Sequence, residues 1–188
     1  MGKSLELIAK AICKQYGLQY IDFVGEGAFK ETYHIKENEN SRALKIFRSV
    51  KSPQRTEREI NAMLRCNHPN IGRLLNVSVF EYQSNTYLFL IEEYLSGGTL
   101  SDRLSSGLLS VSEVKKIGIQ LIDAVEHIAN HNLVHRDIKP DNIMFGKDKD
   151  KPVIVDFGLV RDLSNTSLTQ TWLMHGPGTP LYAAPEQL

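Results

Sequence analysis

The chain has 188 residues, 41% hydrophobic and 23% charged, an ordinary globular composition that excludes disorder and a collagen-like fibre. Lysine plus arginine and aspartate plus glutamate each number 22, so no net charge would attract nucleic acid or an anionic membrane, and neither is expected as a partner. The longest apolar run, Leu88 to Ile91, is far shorter than the ~20 residues of a membrane helix.

The two cysteines, Cys13 and Cys66, have neither the spacing of a metal site nor that of a disulfide framework. They predict reduced thiols that pack in the core of a cytoplasmic protein.

Residues 1–18 are predicted to form an amphipathic helix that packs on the domain and ends near Gly17. Its apolar positions recur at helical spacing: Leu5, Ile8, Ile12 and Tyr16. The charged residues Glu6, Lys10 and Lys14 interrupt the apolar centre that a secretory signal would need.

The next part of the chain alternates between apolar and polar residues and is broken by turn residues, which predicts strands. These strands are expected at residues 20–25, 29–36, 42–48, 77–82 and 86–92. A helix over 53–66 interrupts them, because Ser52 and Pro53 form a helix start. Its expected buried stripe is Ile60, Met63 and Leu64. The result is a five-stranded sheet with one helix.

After Gly97 and Gly98 the pattern becomes helical. Ser110 and Glu113 form a capping box ahead of a long helix over 111–130. Its apolar positions are Val114, Ile117, Leu121, Ile122, Val125, Ile128 and Ala129. A strand from Pro152 to Asp156 and a segment rich in Ser and Thr follow, ending at Ala184-Pro185-Glu186.

The chemistry is concentrated in the octapeptide His135 to Asn142 and in Asp156-Phe157-Gly158, fourteen residues further on. It offers a carboxylate base in Asp137, a cation in Lys139 and two oxygen ligands for a metal ion in Asn142 and Asp156. With these spacings, the chain from about residue 19 onward resembles a eukaryotic-type Ser/Thr protein kinase catalytic domain that stops just after the Ala-Pro-Glu motif.

This resemblance implies an α+β, two-lobe fold. Residues 1–18 would form the N-terminal helix, 19–95 a five-stranded antiparallel small lobe with one crossing helix, and 96–188 an incomplete, mainly helical large lobe. If the long helix leaves even ~500 Å² of apolar surface unburied, the loss is about 12 kcal/mol, which is comparable with the stability of a whole domain. We therefore expect a fragment, a truncated product, or a chain completed by a partner.

The resemblance also implies transfer of the γ-phosphate of ATP, with Mg²⁺, to a Ser or Thr hydroxyl of a protein. Asp137 would act as the base, and Lys139 would neutralise the γ-phosphate. Asn142 and Asp156 would hold the metal ion. Lys139, together with the run from Gly178 to Tyr182, resembles the Ser/Thr-specific members. His135 is expected to be a buried hydrogen-bonding scaffold, and Phe157 to pack under the crossing helix.

For the nucleotide, Gly25 and Gly27 lie between two predicted strands, where their backbone N–H groups could approach phosphates. Lys45, in Ala43-Leu44-Lys45-Ile46, would contact the α- and β-phosphates and pair with Glu59, which shares the inward side of its helix with Met63. The implied binding residues are Val24, Gly25, Gly27, Thr32, Ala43, Lys45, Glu93, Leu95 and Met144. The third glycine of the family is Lys30 here, and Thr32 replaces a valine.

Other positions leave alternatives open. Glu92 falls at the gatekeeper position, usually apolar or Thr, before a hinge that starts at Glu93. Either Glu92 is paired, for example with a lysine, or the hinge has one extra residue and Ile91 is the gatekeeper. Arg136 is expected to bind a phosphate on the activation segment, with Thr169 or Thr171 as the regulatory site.

Two other functions compete with the leading one. A non-catalytic, pseudokinase-like nucleotide-binding module is suggested by Lys30, Glu92 and the absent helices. Retention of Lys45, Asp137, Asn142 and Asp156 argues against it. A small-molecule phosphotransferase of the same fold is disfavoured by Lys139 and by the full segment from Asp156 to Glu186.

Overall fold

The computed structural model describes residues 5–27, 29–48, 53–163 and 179–185, with only the backbone described at Arg55. They form two compact units. The first comprises residues 1–53 and 73–94, and the second 54–72 and 95–188. Within the described parts of the chain, no helix is both long enough and apolar enough to cross a membrane.

The first unit is built on the predicted antiparallel sheet of five strands. In chain order they are β1 (Gln19–Glu26), β2 (Lys30–Glu37), β3 (Asn40–Phe47), β4 (Leu74–Tyr82) and β5 (Asn85–Glu93). They lie side by side in the order β1-β2-β3-β5-β4. In β2 every second residue is buried, as the alternating sequence predicts for a sheet whose two faces differ.

The N-terminal helix α1 (Glu6–Tyr16) covers one face of this sheet, which we call the outer face. The helix ends at Gly17, whose φ of 67° is the left-handed conformation of a helix terminus. Its apolar side packs against alternate residues of the strands. The buried residues of this cluster are Leu5, Ile8, Ala9, Ile12, Cys13, Tyr33, Ile35, Leu44, Ile46, Phe80, Phe89 and Ile91.

Tyr16 is the least buried of the predicted apolar positions of α1. It is 41% exposed, and its ring packs edge-to-face on the Phe89 ring, with centroids 5.6 Å apart. Ala9 and Cys13 add to the buried side of the helix. Cys13 and Cys66 are free and buried as predicted, and burial raises the pKa of Cys13 to about 11.

In the second unit, helix α2 (Pro53–Arg65) begins at the predicted proline. Glu59 and Met63 are both buried, so they share one side of the helix as expected, whereas Leu64 is 61% exposed and its predicted burial is wrong. Leu64 lies ~100° around the helix from Met63, which turns it away from the buried side.

Two capped helices follow in this unit. Helix α3 (Leu100–Ser105) was not predicted. It starts with a capping box between Thr99 and Asp102, the same motif that Ser110 and Glu113 form, as predicted, at the start of α4 (Val111–Asn130).

Only one side of α4 is buried, through Ile117, Ala124 and Ile128. The predicted stripe is too wide, because several of its members are exposed. Val114, Ile122 and Val125 are between 41% and 69% exposed, and Val111 adds to the same face.

The remaining strands are short. Strand β6 (Leu133–Val134) pairs with β9 (Arg161–Asp162), and β7 (Ile143–Phe145) pairs with β8 (Pro152–Ile154). The strand predicted to reach Asp156 therefore ends two residues earlier.

Gly97 lies where no side chain fits. A Cβ there would be 2.4 Å from the carbonyl oxygen of Gly146 and 2.9 Å from Phe145, and the Gly97 N–H is already bonded to the Phe145 carbonyl at 2.7 Å. We expect Gly97→Ala to lower the free energy of unfolding by about 2–4 kcal/mol. Gly118→Ala in α4 is the control. It has open space around it and should raise stability by up to about 1 kcal/mol. Urea unfolding of both variants measures the difference, and equal effects would contradict the argument.

Candidate active site

The loop between β6 and β7 brings three of the predicted site residues together. The side-chain amide of Asn142 donates to the carbonyl oxygen of Asp137 at 2.8 Å and to its Oδ2 at 3.0 Å. The ammonium of Lys139 lies 3.1 Å from the same Oδ2. A short 3₁₀ turn, Pro140–Asn142, returns the chain so that these residues face one another. The carboxylate of Asp137 is thereby fixed in position by a cation and an amide.

A hydroxyl occupies the other side of this carboxylate. Thr179 Oγ1 donates to Asp137 Oδ1 at 2.9 Å and accepts from Lys139 Nζ at 2.8 Å. An aliphatic hydroxyl is therefore held between a carboxylate, a group that can accept its proton, and a cation.

His135 is a buried residue that links the loop between β6 and β7 to the backbone around it through both nitrogens of its ring. It is 3% exposed, its Nε2 lies 3.2 Å from the Val155 carbonyl oxygen, and its Nδ1 accepts from the Asp137 N–H at 3.4 Å. Burial lowers the pKa of His135, which favours the neutral ring that both contacts need. The predicted scaffold role agrees with this geometry.

Asp156 follows directly on this framework, because the Val155 N–H donates to the Asn142 carbonyl at 2.9 Å. The Asp156 carboxylate is exposed and accepts from the Gly158 N–H at 3.2 Å. Phe157 is fully buried, with its ring edge-to-face on His135 at 4.9 Å. Two residues here have left-handed backbones, Arg136 with φ 71° and Asp156 with φ 64°.

The residues fit an oxygen-liganded divalent cation. The amide nitrogen of Asn142 is used by Asp137, which turns the carbonyl oxygen of the same amide the opposite way. Asp156 adds an exposed carboxylate. Among the described residues no group of three or more His, Cys, Asp or Glu side chains could hold a metal ion. Mg²⁺ needs no such group, since it takes one or two protein oxygens together with phosphate oxygens and water.

In the first unit, Lys45 lies on the face of the sheet opposite α1. It stands across from Thr32 of β2 and Leu90 of β5. Its ammonium is 2.7 Å from Glu92 Oε2. Glu92 is buried, with a side chain 6% exposed, and its other oxygen, Oε1, has no hydrogen-bond donor among the described residues. The buried carboxylate of Glu92 therefore forms an ion pair with Lys45, the lysine predicted to contact the nucleotide phosphates.

Residues 18–188 match the protein kinase domain family. The chain belongs to the protein kinase family. It is 32% identical over 170 residues to calcium/calmodulin-dependent protein kinase type IV of Mus musculus, covering 88% of this chain and 34% of that protein. It is 37% identical over 145 residues to CBL-interacting serine/threonine-protein kinase 21 of Arabidopsis thaliana, covering 77% of this chain and 32% of that one.

A third relative is serine/threonine-protein kinase 36 of Pongo abelii, 29% identical over 172 residues, which are 88% of this chain and 12% of that protein. The chain therefore spans about a third or less of the length of these curated relatives. The expected fold, an α+β protein kinase domain with a five-stranded antiparallel sheet, is confirmed.

Within this kinase domain the two alternatives for Glu92 can be compared. Glu92 stands across from Ala43 in β3 and so shares the face of Lys45, whereas Ile91 points to the outer face and packs in the cluster under α1. Glu92 is paired with a lysine, as the first alternative stated. This register favours Glu92 over Ile91 as the gatekeeper.

The other predicted nucleotide residues are divided between the two units. Gly25 stands across from Thr32, which stands across from Lys45, so these three form one row over β1, β2 and β3. Ala43 is buried and Val24 is 46% exposed. The Glu93 N–H is bonded to the Arg73 carbonyl at 3.1 Å.

Leu95, Met144 and Glu59 belong to the second unit. The pairing of Lys45 with Glu59 therefore stays a prediction, as do the nucleotide contacts. Thr169, Thr171, Gly178 and Glu186 lie outside the described residues.

Sequence reasoning missed the contact of Thr179 with the catalytic loop. The run from Gly178 to Tyr182 resembles the Ser/Thr-specific kinases, but nothing in it indicates that the Thr179 hydroxyl reaches Asp137, 42 residues away. A Thr directly before a proline in a polar segment is the only local signal. Nor did the sequence indicate the hydrogen bond from Arg48 to Glu31 in the first unit.

Proposed function

We propose that this kinase domain transfers the γ-phosphate of ATP to a Ser or Thr hydroxyl of a protein substrate. The observation that carries the proposal is the Thr179 hydroxyl held between Asp137 Oδ1 and Lys139 Nζ, at 2.9 and 2.8 Å. A substrate hydroxyl needs the same two neighbours, one to accept its proton and one to neutralise the phosphate that it attacks. Two of the relatives are named as serine/threonine-protein kinases, which supports the same acceptor class.

The roles follow from charge and hydrogen bonding. Asp137 accepts the proton, Lys139 stabilises charge on the transferred phosphoryl group, and Asn142 holds Asp137 in place through its amide. Asn142 and Asp156 would bind Mg²⁺, which supplies neutralisation of the phosphate oxygens when it is bound.

For the nucleotide, the proposal assigns the phosphates to Lys45 and to the backbone around Gly25 and Gly27, with Glu59 as the partner of Lys45. The adenine surroundings are assigned to the remaining residues implied by the resemblance: Val24, Thr32, Ala43, Glu93, Leu95 and Met144. The row of Gly25, Thr32 and Lys45 across three strands supports this, because it places the Gly25 backbone and the Lys45 cation in one line across the sheet.

A phosphate on the activation segment would have a basic site ready for it. Burial, and then the neighbouring Arg161 and Arg58, lower the pKa of Arg136, so Arg136 has two other guanidinium groups in its neighbourhood. Such a cluster favours a dianionic phosphate. It supports Thr169 or Thr171 as the regulatory site.

Two features bear on the setting of this activity. The exposed apolar face of α4 supports the proposal that a further segment or a partner chain covers it. The buried free thiols are in keeping with a reducing compartment, and a cytoplasmic location stays part of the proposal.

The ion pair of Lys45 with Glu92 favours a second candidate, a nucleotide-binding module without transfer activity. In this candidate, Lys45, the proposed phosphate ligand, is already neutralised by the buried carboxylate of Glu92. If that pair prevents productive ATP binding, Glu92→Met should tighten ATP binding and create or raise transfer. If Lys45 changes partner readily, Glu92→Met should leave both nearly unchanged.

The experiment that tests the proposal measures Mg²⁺-dependent transfer of γ-phosphate to a protein substrate rich in Ser and Thr. The same substrate with these residues changed to Ala, and a small alcohol, serve as alternative acceptors. Transfer to the first alone supports the Ser/Thr protein kinase. Transfer to the alcohol would indicate the small-molecule phosphotransferase, and a folded chain that binds ATP without any transfer would favour the second candidate.

A further inference from the structure

Glu31 is a carboxylate buried where the outer face of the sheet meets the start of α1. It is fully buried, and such a charge must be compensated by hydrogen bonds. Its Oε2 accepts from the Leu5 N–H at 3.2 Å and from the Tyr33 hydroxyl at 2.5 Å. Leu5 is the residue that precedes the first turn of α1, where a negative charge stabilises the helix.

The second oxygen of Glu31 contacts Arg48, which also binds residues at the glycine-rich loop between β1 and β2. Its Oε1 accepts from Arg48 Nε at 3.2 Å. The same guanidinium donates to the Gly27 carbonyl at 3.3 Å and forms an ion pair with Glu26. The Arg48 N–H donates to the Phe29 carbonyl at 2.9 Å. Arg48 therefore holds both sides of the loop at once.

We propose that Arg48 is a positioning residue that couples the docking of α1 to the geometry of the glycine-rich loop through the buried carboxylate of Glu31. A single carboxylate connects the two elements, because one oxygen binds the helix start and the other binds the arginine. Release of α1 exposes Glu31 to water and loosens its hold on the Arg48 guanidinium, and the loop then loses the guanidinium contacts with Glu26 and Gly27.

The coupling works in both directions, since linked equilibria are reciprocal. The inference rests on the proposed function, in which this loop binds nucleotide phosphates. A nucleotide that orders the loop also strengthens the docking of α1, and an event that removes α1 from the sheet weakens nucleotide binding. Helix α1 would thus act as an internal regulator placed on the face of the sheet opposite Lys45.

Arg48→Met tests the proposal, because it removes a partly exposed guanidinium while Glu31 keeps its hydrogen bonds from Leu5 and Tyr33. We expect the Kd and KM for ATP with Mg²⁺ to rise about fivefold or more, with a smaller change in kcat. Hydrogen exchange should speed up at the Gly27 amide, which is bonded to the Lys30 carbonyl, and in α1. Arg48→Lys keeps the positive charge but loses the forked guanidinium, so its effect on ATP binding and exchange should be smaller than that of Arg48→Met.

Arg42→Met is the matched control, since Arg42 also pairs with a β2 glutamate, Glu37, at the other end of the same hairpin. It should change neither ATP binding nor loop exchange. ATP binding and exchange that are equal in Arg48→Met and Arg42→Met would overturn the proposal. So would faster exchange in the loop with none in α1. If the wild type binds no nucleotide, the proposed function fails. The coupling is then still tested by hydrogen exchange in α1, compared between Arg48→Met and Arg42→Met.

Discussion

Replacing Asp137 by Asn should slow phosphoryl transfer by about 10²–10⁴-fold and leave ATP binding unchanged. Asn has nearly the same shape but cannot take the proton of the attacking hydroxyl. The carboxylate is held by Asn142, Lys139 and Thr179 within 2.9 to 3.1 Å, so its geometry is fixed before substrate binds. The expected loss is therefore chemical and not a failure of binding.

The measurement compares initial rates of γ-phosphate transfer with ATP affinity from calorimetry. Asp141→Asn is the matched control, because Asp141 is an exposed carboxylate four residues along the same loop. It should retain the wild-type rate. An Asp137→Asn variant as active as Asp141→Asn would remove the proposed base, and equal loss in both would indicate damage to the loop.

Replacing Lys45 by Met should remove transfer by about 10²–10³-fold and also destabilise the protein. Methionine is an unbranched side chain one atom shorter than lysine, and it cannot bind phosphate. It also leaves the Glu92 carboxylate buried without the cation 2.7 Å away, and breaking a buried pair in this way costs about 3 kcal/mol. Lys36→Met, on β2 of the same sheet, should cause neither loss.

The double variant Lys45→Met with Glu92→Met separates these two effects. Removing both charges should restore most of the unfolding free energy, since no buried charge is left alone. Transfer should stay at the level of Lys45→Met. If urea unfolding shows no recovery in the double variant, the ion pair is not what Lys45 contributes to stability. If transfer recovers, Lys45 does not bind the phosphates.

Features with a local signal in the sequence were predictable. The capping box of Ser110 and Glu113 placed the start of α4 correctly, and alternation of apolar and polar residues placed all five strands to within about three residues. Asp137, Lys139 and Asn142 lie within six residues of one another, so their meeting needs only a tight turn.

Features that depend on distant pairing were not predictable in the same way. The contact of Lys45 with Glu92 joins residues 47 apart, and it depends on the register of β3 against β5. The contact of Thr179 with Asp137 similarly needs the tertiary course of the chain. Helix α3 was missed for another reason, since six residues are too few to show a helical period.

The backbone at Arg136 and Asp156 also decides how this centre can be studied by mutation. Both residues have positive φ, a conformation that costs most L-amino acids about 1 kcal/mol or more, but Asn and Asp less and Gly almost nothing. An alanine at Asp156 would remove the carboxylate and, at the same time, disfavour the positive φ of the backbone there. Asparagine at Asp156 changes the charge alone, and glycine at Arg136 removes the guanidinium without added strain. With these two substitutions, a loss of activity can be attributed to the missing charged group and not to backbone strain.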